Sequence, residues 1–271
     1  MSLWFALFLG LVQGVAEFLP ISCSGHLALL QHFFRLELPA ESALLFDVLL
    51  HLGTLAAVFA AYRRELRGML RALSPRRGAG EGGERRLIRL LCLGSLPLVP
   101  AVLLKDRIEG LFTKPLFIGC ALLFTGCLLY ISGRVLPGGE TERTAKGTHA
   151  LGVGCMQALA LLPGVSRSGS TIAAGLVLGF RREFAVRYSF LLSLPAVLGA
   201  GALELWELLK EGFDPSLLLP CALGAAAAAV AGFFAIRLVQ RLTEGGRSGL
   251  FAYYCWGAGA LAILLTILRG A

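Results

Sequence analysis

Residues 161–171 read Leu-Leu-Pro-Gly-Val-Ser-Arg-Ser-Gly-Ser-Thr and interrupt an otherwise apolar segment. Arg167 is the costly residue, because placing an arginine at the centre of a bilayer costs roughly 3 kcal/mol on insertion scales. Arginines held there despite this cost usually face a partner, a cavity or a ligand. One interpretation makes the stretch a polar loop at the membrane surface. The other makes it one wall of a polar site inside the membrane.

The composition indicates that this stretch belongs to a membrane protein. Of 271 residues, 56% are apolar and 15% are charged, and the mean hydropathy is +0.76. A soluble domain is about 45–50% apolar and about 25% charged. Because a bilayer core offers no water to unpaired backbone groups, we expect an all-α polytopic membrane protein. In a membrane protein, an excess of positive charge such as the net +8 mainly determines which loops stay in the cytoplasm. We therefore expect no nucleic-acid partner.

The first half of the chain starts with a broken apolar segment. Residues 3–34 form two short apolar arms around the polar run Ser22-Cys-Ser-Gly-His26. Each arm is short for a full span, so we predict a re-entrant helix-loop-helix hairpin. Three spans are then predicted at residues 42–62, 90–104 and 115–133.

The second half repeats this order. Residues 150–180 are predicted to form a second re-entrant hairpin around the opening stretch, and three further spans follow at residues 184–205, 217–236 and 249–268. Residues 63–89 hold nine arginines and should lie in the cytoplasm by the positive-inside rule. Residues 237–247 are expected to form a second basic turn there, whereas 105–114 and 207–214 are expected to be outer loops.

Six spans and two hairpins predict one membrane domain built from an inverted-topology repeat, since three spans per half is an odd number. Repeat 1 would cover about residues 1–140 and repeat 2 about residues 145–271. Gly10-Leu-Val-Gln13 matches Gly154-Cys-Met-Gln157 at an offset of 144 residues, and Ser24-Gly25 matches Ser168-Gly169 at the same offset.

An inverted pair of hairpins brings two polar breaks together near the membrane midplane. Gln13 and Glu17 are four residues apart and share one helix face. Ser166 to Thr171 precede an apolar helix, and hydroxyls and N–H groups at a helix N-terminus favour an anion. Arg167 can bind phosphate oxygens bidentately. Together the two breaks predict a phosphate site, with His26 and Glu17 available for proton transfer.

Simpler interpretations stand beside this one. Glu17 would serve equally as a structural partner that neutralises Arg167, and His26 as a satisfied histidine at a helix start. Asp47 and His51, spaced i,i+4 in the first full span, are expected to be structural. Six of the seven cysteines are expected to be small residues in helix packing.

The two breaks resemble the signatures of a known family. The run from Glu17 to His26, preceded by Gln13, and the run from Pro163 to Thr171 are similar to the two signatures of the bacterial undecaprenyl-diphosphate phosphatases of the BacA/UppP type. The resemblance extends to Phe46–Gly53, Ser189–Pro195 and Phe251–Tyr254.

The resemblance implies hydrolysis of undecaprenyl diphosphate to undecaprenyl phosphate and phosphate, which recycles the lipid carrier for cell-wall synthesis and confers bacitracin resistance. It also implies a site in the bacterial inner membrane that opens to the periplasmic side. The resemblance places Gln13, Glu17, His26, Ser166, Arg167 and Thr171 in the site, and we expect Glu17, His26, Ser166 and Arg167 to be catalytic. The substrate-binding residues that we predict in the two breaks and beside them are Gln13, Ser22, Cys23, Ser24, Ser168, Gly169 and Thr171.

Cys23 departs from the family pattern, which carries a hydroxyl at this position. A thiol is a weak hydrogen-bond donor, so we favour His26, or a water activated by Glu17 or His26, as the attacking species. In this hypothesis Glu17 orients or deprotonates His26, while Arg167, Ser166, Ser168 and Thr171 hold the diphosphate.

The expected partners are a polyprenyl diphosphate and membrane lipids. A homodimer is compatible with the sequence, which leaves the oligomeric state open. Glu17 is a candidate ligand for Mg²⁺ or Ca²⁺, although one carboxylate and a glutamine make a thin ligand set. No organic cofactor is expected.

Two rival functions use the same residues. A transporter or flippase of a polyprenyl phosphate or another anion would share the repeat and the broken helices, but it would not need the His26–Glu17 pair. The other class of lipid-phosphate phosphatase shares Ser-Gly-His and Ser-Arg, but its Lys…Arg-Pro element is missing from this chain.

Overall fold

The computed structural model describes residues 2–34, 40–73, 82–136, 138–212 and 214–269. Within these ranges the protein is helical and contains no strand, only an isolated bridge between Glu140 and Phe180. The α-helices of the described ranges are α1 (Leu3–Phe18), α2 (Cys23–Phe34), α3 (Ala40–Ala61), α4 (Arg63–Ala72), α5 (Gly82–Ser95), α6 (Leu98–Val102), α7 (Lys105–Phe112), α8 (Pro115–Arg134), α9 (Gly147–Leu159), α10 (Arg167–Val177), α11 (Arg182–Glu211), α12 (Leu218–Glu244) and α13 (Leu250–Arg269).

Several helices are long and apolar enough to cross a membrane. Among the described residues, α8, α11, α12 and α13 each meet this criterion. α3 and α4, which meet at a bend of 82°, give a fifth candidate if the bent pair is counted as one span. α1 is apolar but shorter than a span. The expectation of an all-α, multi-pass membrane protein is therefore confirmed.

The long helices extend further than the predicted spans. α12 includes residues 237–244, so the basic turn predicted at 237–247 is wrong for most of its length. α11 likewise continues to Glu211, through part of the predicted outer loop. At 1.5 Å per residue both helices exceed the roughly 30 Å hydrocarbon core, so their charged ends can remain helical in the interfacial region.

The arginine-rich segment between the first two predicted spans is also more helical than expected. α4 and the first turns of α5 occupy most of residues 63–89, while Arg76 and Arg77 lie outside the described residues. The predicted span 90–104 is divided between α5 and α6, as the prolines at 97 and 100 would require, because proline lacks the N–H that continues a helix. The predicted loop at 105–114 is mostly the helix α7.

Glycines set the closest helix crossings. α1 meets α12 where Gly10 lies against the Gly224 carbonyl, and α9 meets α5 where Gly154 lies against the Gly94 carbonyl. A Cβ at either Gly10 or Gly154 would collide with the facing backbone. Small residues of this kind let membrane helices approach closely and pack. The crossings hold α1 against α12 and α9 against α5; α1 and α9 are the first arms of the two predicted hairpins.

The expectation that six cysteines pack inside the protein is wrong for four of them. Cys92, Cys120, Cys127 and Cys155 are exposed on helix surfaces, whereas Cys221 and Cys255 are buried. An apolar sequence context does not separate these cases, since in a membrane both the lipid-facing and the core-facing sides of a helix are apolar.

Candidate active site

Each of the two polar breaks separates a pair of helices. In the first, α1 ends at Phe18 and α2 begins at Cys23, with Ser22 in the left-handed region at φ 68°. The Ser22 hydroxyl accepts a hydrogen bond from the Gly25 N–H at 3.3 Å. A non-glycine residue in this conformation is uncommon and costs of order 1–3 kcal/mol, so its surroundings must hold it there.

The second break lies between α9 and α10. Ser166 is the N-cap of α10, and its hydroxyl accepts a hydrogen bond from the Gly169 N–H at 3.1 Å. Gly164 has φ +94°, which a side chain would disfavour. Thr125 of α8 fixes this break from the side, because its hydroxyl donates to the Gly164 carbonyl at 3.0 Å and accepts from the Ser166 N–H at 3.1 Å.

The two breaks lie directly against each other. A Cβ added at Gly25 would lie 2.8 Å from the Gly164 Cα, so only glycine permits this approach. The Ser168 hydroxyl donates to the Leu19 carbonyl of the first break at 3.2 Å. The structure therefore brings together stretches that are about 140 positions apart in the sequence.

A chain of polar contacts joins the breaks. Arg167 Nη2 donates to Glu17 Oε1 at 2.7 Å, Gln13 Nε2 donates to Glu17 Oε2 at 3.4 Å, and Cys23 Sγ donates to Gln13 Oε1 at 2.9 Å. The side chains of Arg167 and Glu17 are 19% and 12% exposed. Arg167 Nη1 is buried and has no hydrogen-bond partner, so one donor of the guanidinium is available to a ligand.

His26 is held by different groups from the predicted ones. Its Nδ1 lies 2.7 Å from the Ser22 carbonyl and its Nε2 lies 2.9 Å from the Tyr254 hydroxyl. The Tyr254 ring also stacks on the imidazole, with centroids 5.6 Å apart. No hydrogen bond joins His26 to Glu17, whose carboxylate is occupied by Gln13 and Arg167. The expectation that Glu17 orients His26 is therefore wrong for this conformation.

The remaining predicted residues are placed around this chain. The Thr171 hydroxyl donates to the Arg167 carbonyl at 2.8 Å and lies 2.6 Å from the Ser189 hydroxyl, so it fixes α10 on α11. The Ser166 and Ser168 hydroxyls are 3.4 Å apart and both buried. Gly169 packs against Pro20. Ser24 is half-buried in the first turn of α2.

A narrow cavity begins at the Arg167–Glu17 pair. Its other walls come from α3 and α11 and comprise Thr54, Leu55, Val58, Ser193 and Val197, with Phe18 beside Glu17. The cavity holds only about 170 Å³ of empty space, and its lining is partly polar and partly apolar. The hydroxyls of Thr54 and Ser193 are buried at 2% exposure each.

A resident divalent cation is poorly matched by these donors. Within the described residues, no group of three or more His, Cys, Asp or Glu side chains is arranged to hold a metal. Arg167 and Gln13 occupy the two oxygens of the Glu17 carboxylate. Mg²⁺ and Ca²⁺ prefer several oxygen ligands, so no reaction step is assigned to a metal.

Comparison with known proteins identifies the family of the chain. A family model described as "Bacitracin resistance protein BacA" matches residues 6–261 of the chain. The chain belongs to the BacA family. The matched range contains both breaks, the chain of contacts from Arg167 to Cys23, and Tyr254.

Three full-length relatives illustrate the similarity. The protein named "Undecaprenyl-diphosphatase" of Methanosphaera stadtmanae is 39% identical over 276 residues, which cover 97% of this chain and 98% of the relative. The protein of the same name from Rubrobacter xylanophilus is 41% identical over 270 residues, with 97% and 98% covered. That of Desulfosudis oleivorans is 40% identical over 266 residues, with 94% and 95% covered.

Sequence reasoning missed several residues that lie around the candidate site. Tyr254, Thr125, Thr54 and Ser193 were not predicted as site residues, although each lies in a helix that faces the breaks. The available signal was weak, since a single hydroxyl in an apolar helix can bond to its own backbone. Thr54 and Ser193 do so, donating to the His51 and Phe190 carbonyls.

Proposed function

We propose that this BacA-family protein is an integral membrane phosphatase that hydrolyses undecaprenyl diphosphate to undecaprenyl phosphate and inorganic phosphate. The family membership and the shared name of its full-length relatives support this activity. The product is the lipid carrier of cell-wall synthesis, so the enzyme recycles that carrier. Because bacitracin sequesters the diphosphate substrate, the same activity confers resistance to bacitracin.

The observation that carries the proposal is the hydrogen bonding of the Arg167 guanidinium. One nitrogen of the guanidinium is neutralised by Glu17, while Nη1 is buried without a partner. A buried donor of this kind costs free energy unless something accepts from it. A phosphate oxygen at Nη1 satisfies it, and the N-terminus of α10 adds a favourable dipole for the same anion.

His26 supplies the base. The Ser22 carbonyl can only accept, so the proton of the neutral imidazole lies on Nδ1 and the lone pair lies on Nε2. The Tyr254 hydroxyl, 2.9 Å from Nε2, occupies the position that an attacking water would take. Cys23 and His26 are three residues apart on α2 and share a face. His26 Nε2 faces Tyr254 in this conformation, so the imidazole must turn towards Arg167 for the reaction.

The reaction follows from these roles. Water attacks the terminal phosphorus, its proton passes to His26 Nε2, and the P–O bond to undecaprenyl phosphate breaks. Arg167 and the α10 N-terminus stabilise the charge on the transferred phosphoryl group. Ser166, Ser168 and Thr171 act by holding the two breaks in register, since their hydroxyls bond to protein groups.

The same proposal includes a topology. Six spans and two re-entrant hairpins, α1–α2 and α9–α10, form an inverted repeat of residues 1–140 and 145–271 in the inner membrane. The matched glycine crossings of α1 with α12 and of α9 with α5 support this arrangement. By the positive-inside rule, the arginines around α4 favour a cytoplasmic position for that end of the molecule, and in this proposal the site opens to the periplasmic side.

Phosphate release by the purified protein tests the activity. Arg167→Ala and His26→Ala should each lower kcat on a polyprenyl diphosphate by at least about 100-fold, as expected for lost charge stabilisation and lost base catalysis. Arg134→Ala, an exposed arginine over the Tyr130 ring, and His32→Gln are controls that should keep the wild-type rate. Wild-type rates in Arg167→Ala and His26→Ala would contradict the proposal.

The same purified protein can be used to distinguish transport from hydrolysis. The broken helices and paired breaks suit a transporter as well as an enzyme. Movement of a polyprenyl phosphate across proteoliposomes with no phosphate release from the diphosphate would favour transport. Phosphate release that depends on His26 would favour the phosphatase.

A further inference from the structure

An open cavity of about 440 Å³ lies beyond the C-terminal end of α10, away from the two breaks. Three parts of the chain form its walls: the turn after α8, the start of α11 and the end of α12. A volume of this size is within the range of ligand pockets in proteins. The lining residues are Gly138, Arg181, Arg182, Glu183, Glu244 and Gly245.

The side chains that line this cavity carry two positive and two negative charges. Within the described residues, no ion pair joins either arginine of the cavity to either glutamate. Arg181, Glu183 and Glu244 are exposed, so a ligand can reach their charged groups. Because the formal charges of the lining sum to zero, the cavity suits a ligand that carries both an anion and a cation.

The ends of two helices determine where each charge of such a ligand would lie. Arg182 Nη1 donates to the Thr243 carbonyl at 3.4 Å, which joins the start of α11 to the end of α12. The N-terminus of α11 favours an anion, and the C-terminus of α12 favours a cation, because of the helix dipole. A phosphate therefore suits the arginines of α11, and an ammonium group suits Glu244 at the end of α12.

Aromatic side chains indicate that the cavity lies at the level of the lipid headgroups. The Tyr130 ring of α8 packs against the rings of Tyr253 and Trp256 of α13, with centroids 6.4 and 5.2 Å apart. Tyrosine and tryptophan are enriched at the interface between membrane and water. Gly138 follows Tyr130 by eight residues, beyond the end of α8. Leu136 beside it is 85% exposed, so an apolar surface is available to an acyl chain.

We propose that this cavity binds the headgroup of a phospholipid whose phosphate carries a primary ammonium group, as in phosphatidylethanolamine. The arginines bind the phosphate oxygens, and the glutamates accept hydrogen bonds from the ammonium N–H groups. The acyl chains stay in the leaflet beside α8. None of the lining residues belongs to the two breaks, so this lipid site is separate from the proposed phosphatase site.

Native mass spectrometry of the purified full-length protein tests the site with three phospholipids that share the same acyl chains. Phosphatidylethanolamine should bind about 5- to 10-fold more tightly than the other two, because each of them lacks the charge-assisted hydrogen bonds of the ammonium group. Phosphatidylglycerol has no ammonium group, and the ammonium of phosphatidylcholine has no N–H. Equal affinities for the three lipids would overturn the proposal.

Two variants test the two halves of the headgroup separately. Glu244→Gln should lower the affinity for phosphatidylethanolamine to that for phosphatidylglycerol, and should bind phosphatidylglycerol no more weakly than wild type. Arg181→Gln should weaken the binding of both lipids. Arg64→Gln and Glu207→Gln, at exposed positions outside the cavity, are matched controls and should bind as wild type. Wild-type selectivity in Glu244→Gln would overturn the proposal, and the comparison of lipids on the wild-type chain decides it if a variant unfolds.

A soluble headgroup distinguishes a lipid from a free phosphate ester. Glycerophosphoethanolamine carries the same phosphate and ammonium groups without acyl chains, so it should not displace phosphatidylethanolamine at equal concentration. Displacement at equal concentration would overturn the assignment to a lipid.

Discussion

At the scale of single residues, Glu17 and Arg167 connect the two halves of the chain. They are 150 positions apart in the sequence and 2.7 Å apart in the structure. The Glu17 carboxylate accepts a hydrogen bond from Nη2 of Arg167 and leaves Nη1 of the same guanidinium available to a ligand. Both interpretations of Glu17 drawn from the sequence, structural partner and site residue, therefore describe one arrangement.

Glu17→Gln should weaken both folding and catalysis. The amide leaves a partly buried arginine without its counter-charge, which costs about 1–3 kcal/mol for a charge-assisted hydrogen bond. We expect a lower midpoint of thermal unfolding in detergent and a lower kcat. The double variant Glu17→Gln with Arg167→Gln should regain part of the thermal stability, because no unpaired charge remains. Equal midpoints for wild type and Glu17→Gln would argue against the pair.

Cys23 donates to Gln13 and is not expected to be the nucleophile. Cys23→Ser should keep at least the wild-type kcat, since a hydroxyl is a better donor than a thiol. Cys23→Ala should lose only a few-fold, in line with one weak hydrogen bond of about 1 kcal/mol. Phosphate-release rates of the two variants are the measurement. Loss of all activity in Cys23→Ala, with rescue only by a thiol at this position, would make the sulfur the attacking group.

The site residues that could be predicted from the sequence differ in polarity from the residues around them. Glu17, His26 and Arg167 are ionisable in apolar segments, and the cost of burying them identified the site. The partner of His26 could not be predicted, because it depends on the backbone turn at Ser22 and on α13, which is more than 220 positions away. Tyr254 lies in the family-like run Phe251–Tyr254, but that resemblance does not show that its hydroxyl meets His26, since aromatic residues with polar tips are common near membrane interfaces.

At the scale of elements, the site depends on two helix breaks that touch through glycine. Gly25 faces the Gly164 backbone and leaves no room for a side chain. The sequence predicts both breaks from Pro, Gly and Ser clusters, because these residues end helices. It does not predict their contact, which requires α8 and α13 to hold the breaks through Thr125 and Cys255.

Gly25→Ala should separate the breaks while leaving the long helices intact. The added methyl group must displace the Gly164 backbone by several tenths of an ångström, and misplacing catalytic groups by about 1 Å can cost roughly 100-fold in rate. We expect at least a tenfold lower kcat with unchanged helical content by circular dichroism. Gly257→Ala, at a position with nothing within 4 Å, is the matched control. Similar rates in the two variants would show that the close contact is dispensable.

At the scale of the whole molecule, the two halves use the same construction twice. Each starts with a broken helix pair held by a glycine crossing, and the α8–α13 crossing has Gly119 and Gly259 facing each other's backbone. The hydropathy order predicts an inverted repeat, and these crossings are consistent with it, whereas helix lengths were less predictable. Charges near a helix end do not show whether the helix stops or continues into the interface, as α12 does.

The inverted arrangement predicts opposite sides for two exposed turns. A cysteine introduced by Ser216→Cys, before α12, should react with a membrane-impermeant maleimide in right-side-out vesicles. Gly139→Cys, after α8, should react only after the vesicles are opened. Both positions are exposed in the structure. The reverse pattern, measured above the labelling of the wild-type chain, would contradict the proposed orientation.

The central claim is that the two breaks form one diphosphate site. The most direct measurement is an experimental structure with a non-hydrolysable methylene diphosphonate analogue of the polyprenyl substrate. We expect the terminal phosphonate at Arg167 Nη1 and the α10 N-terminus, with His26 Nε2 turned from Tyr254 towards the phosphorus and the lipid tail entering between α3 and α11. A diphosphonate bound elsewhere, for example at Arg181 and Arg182, with the Arg167–Glu17 pair unchanged, would contradict the account.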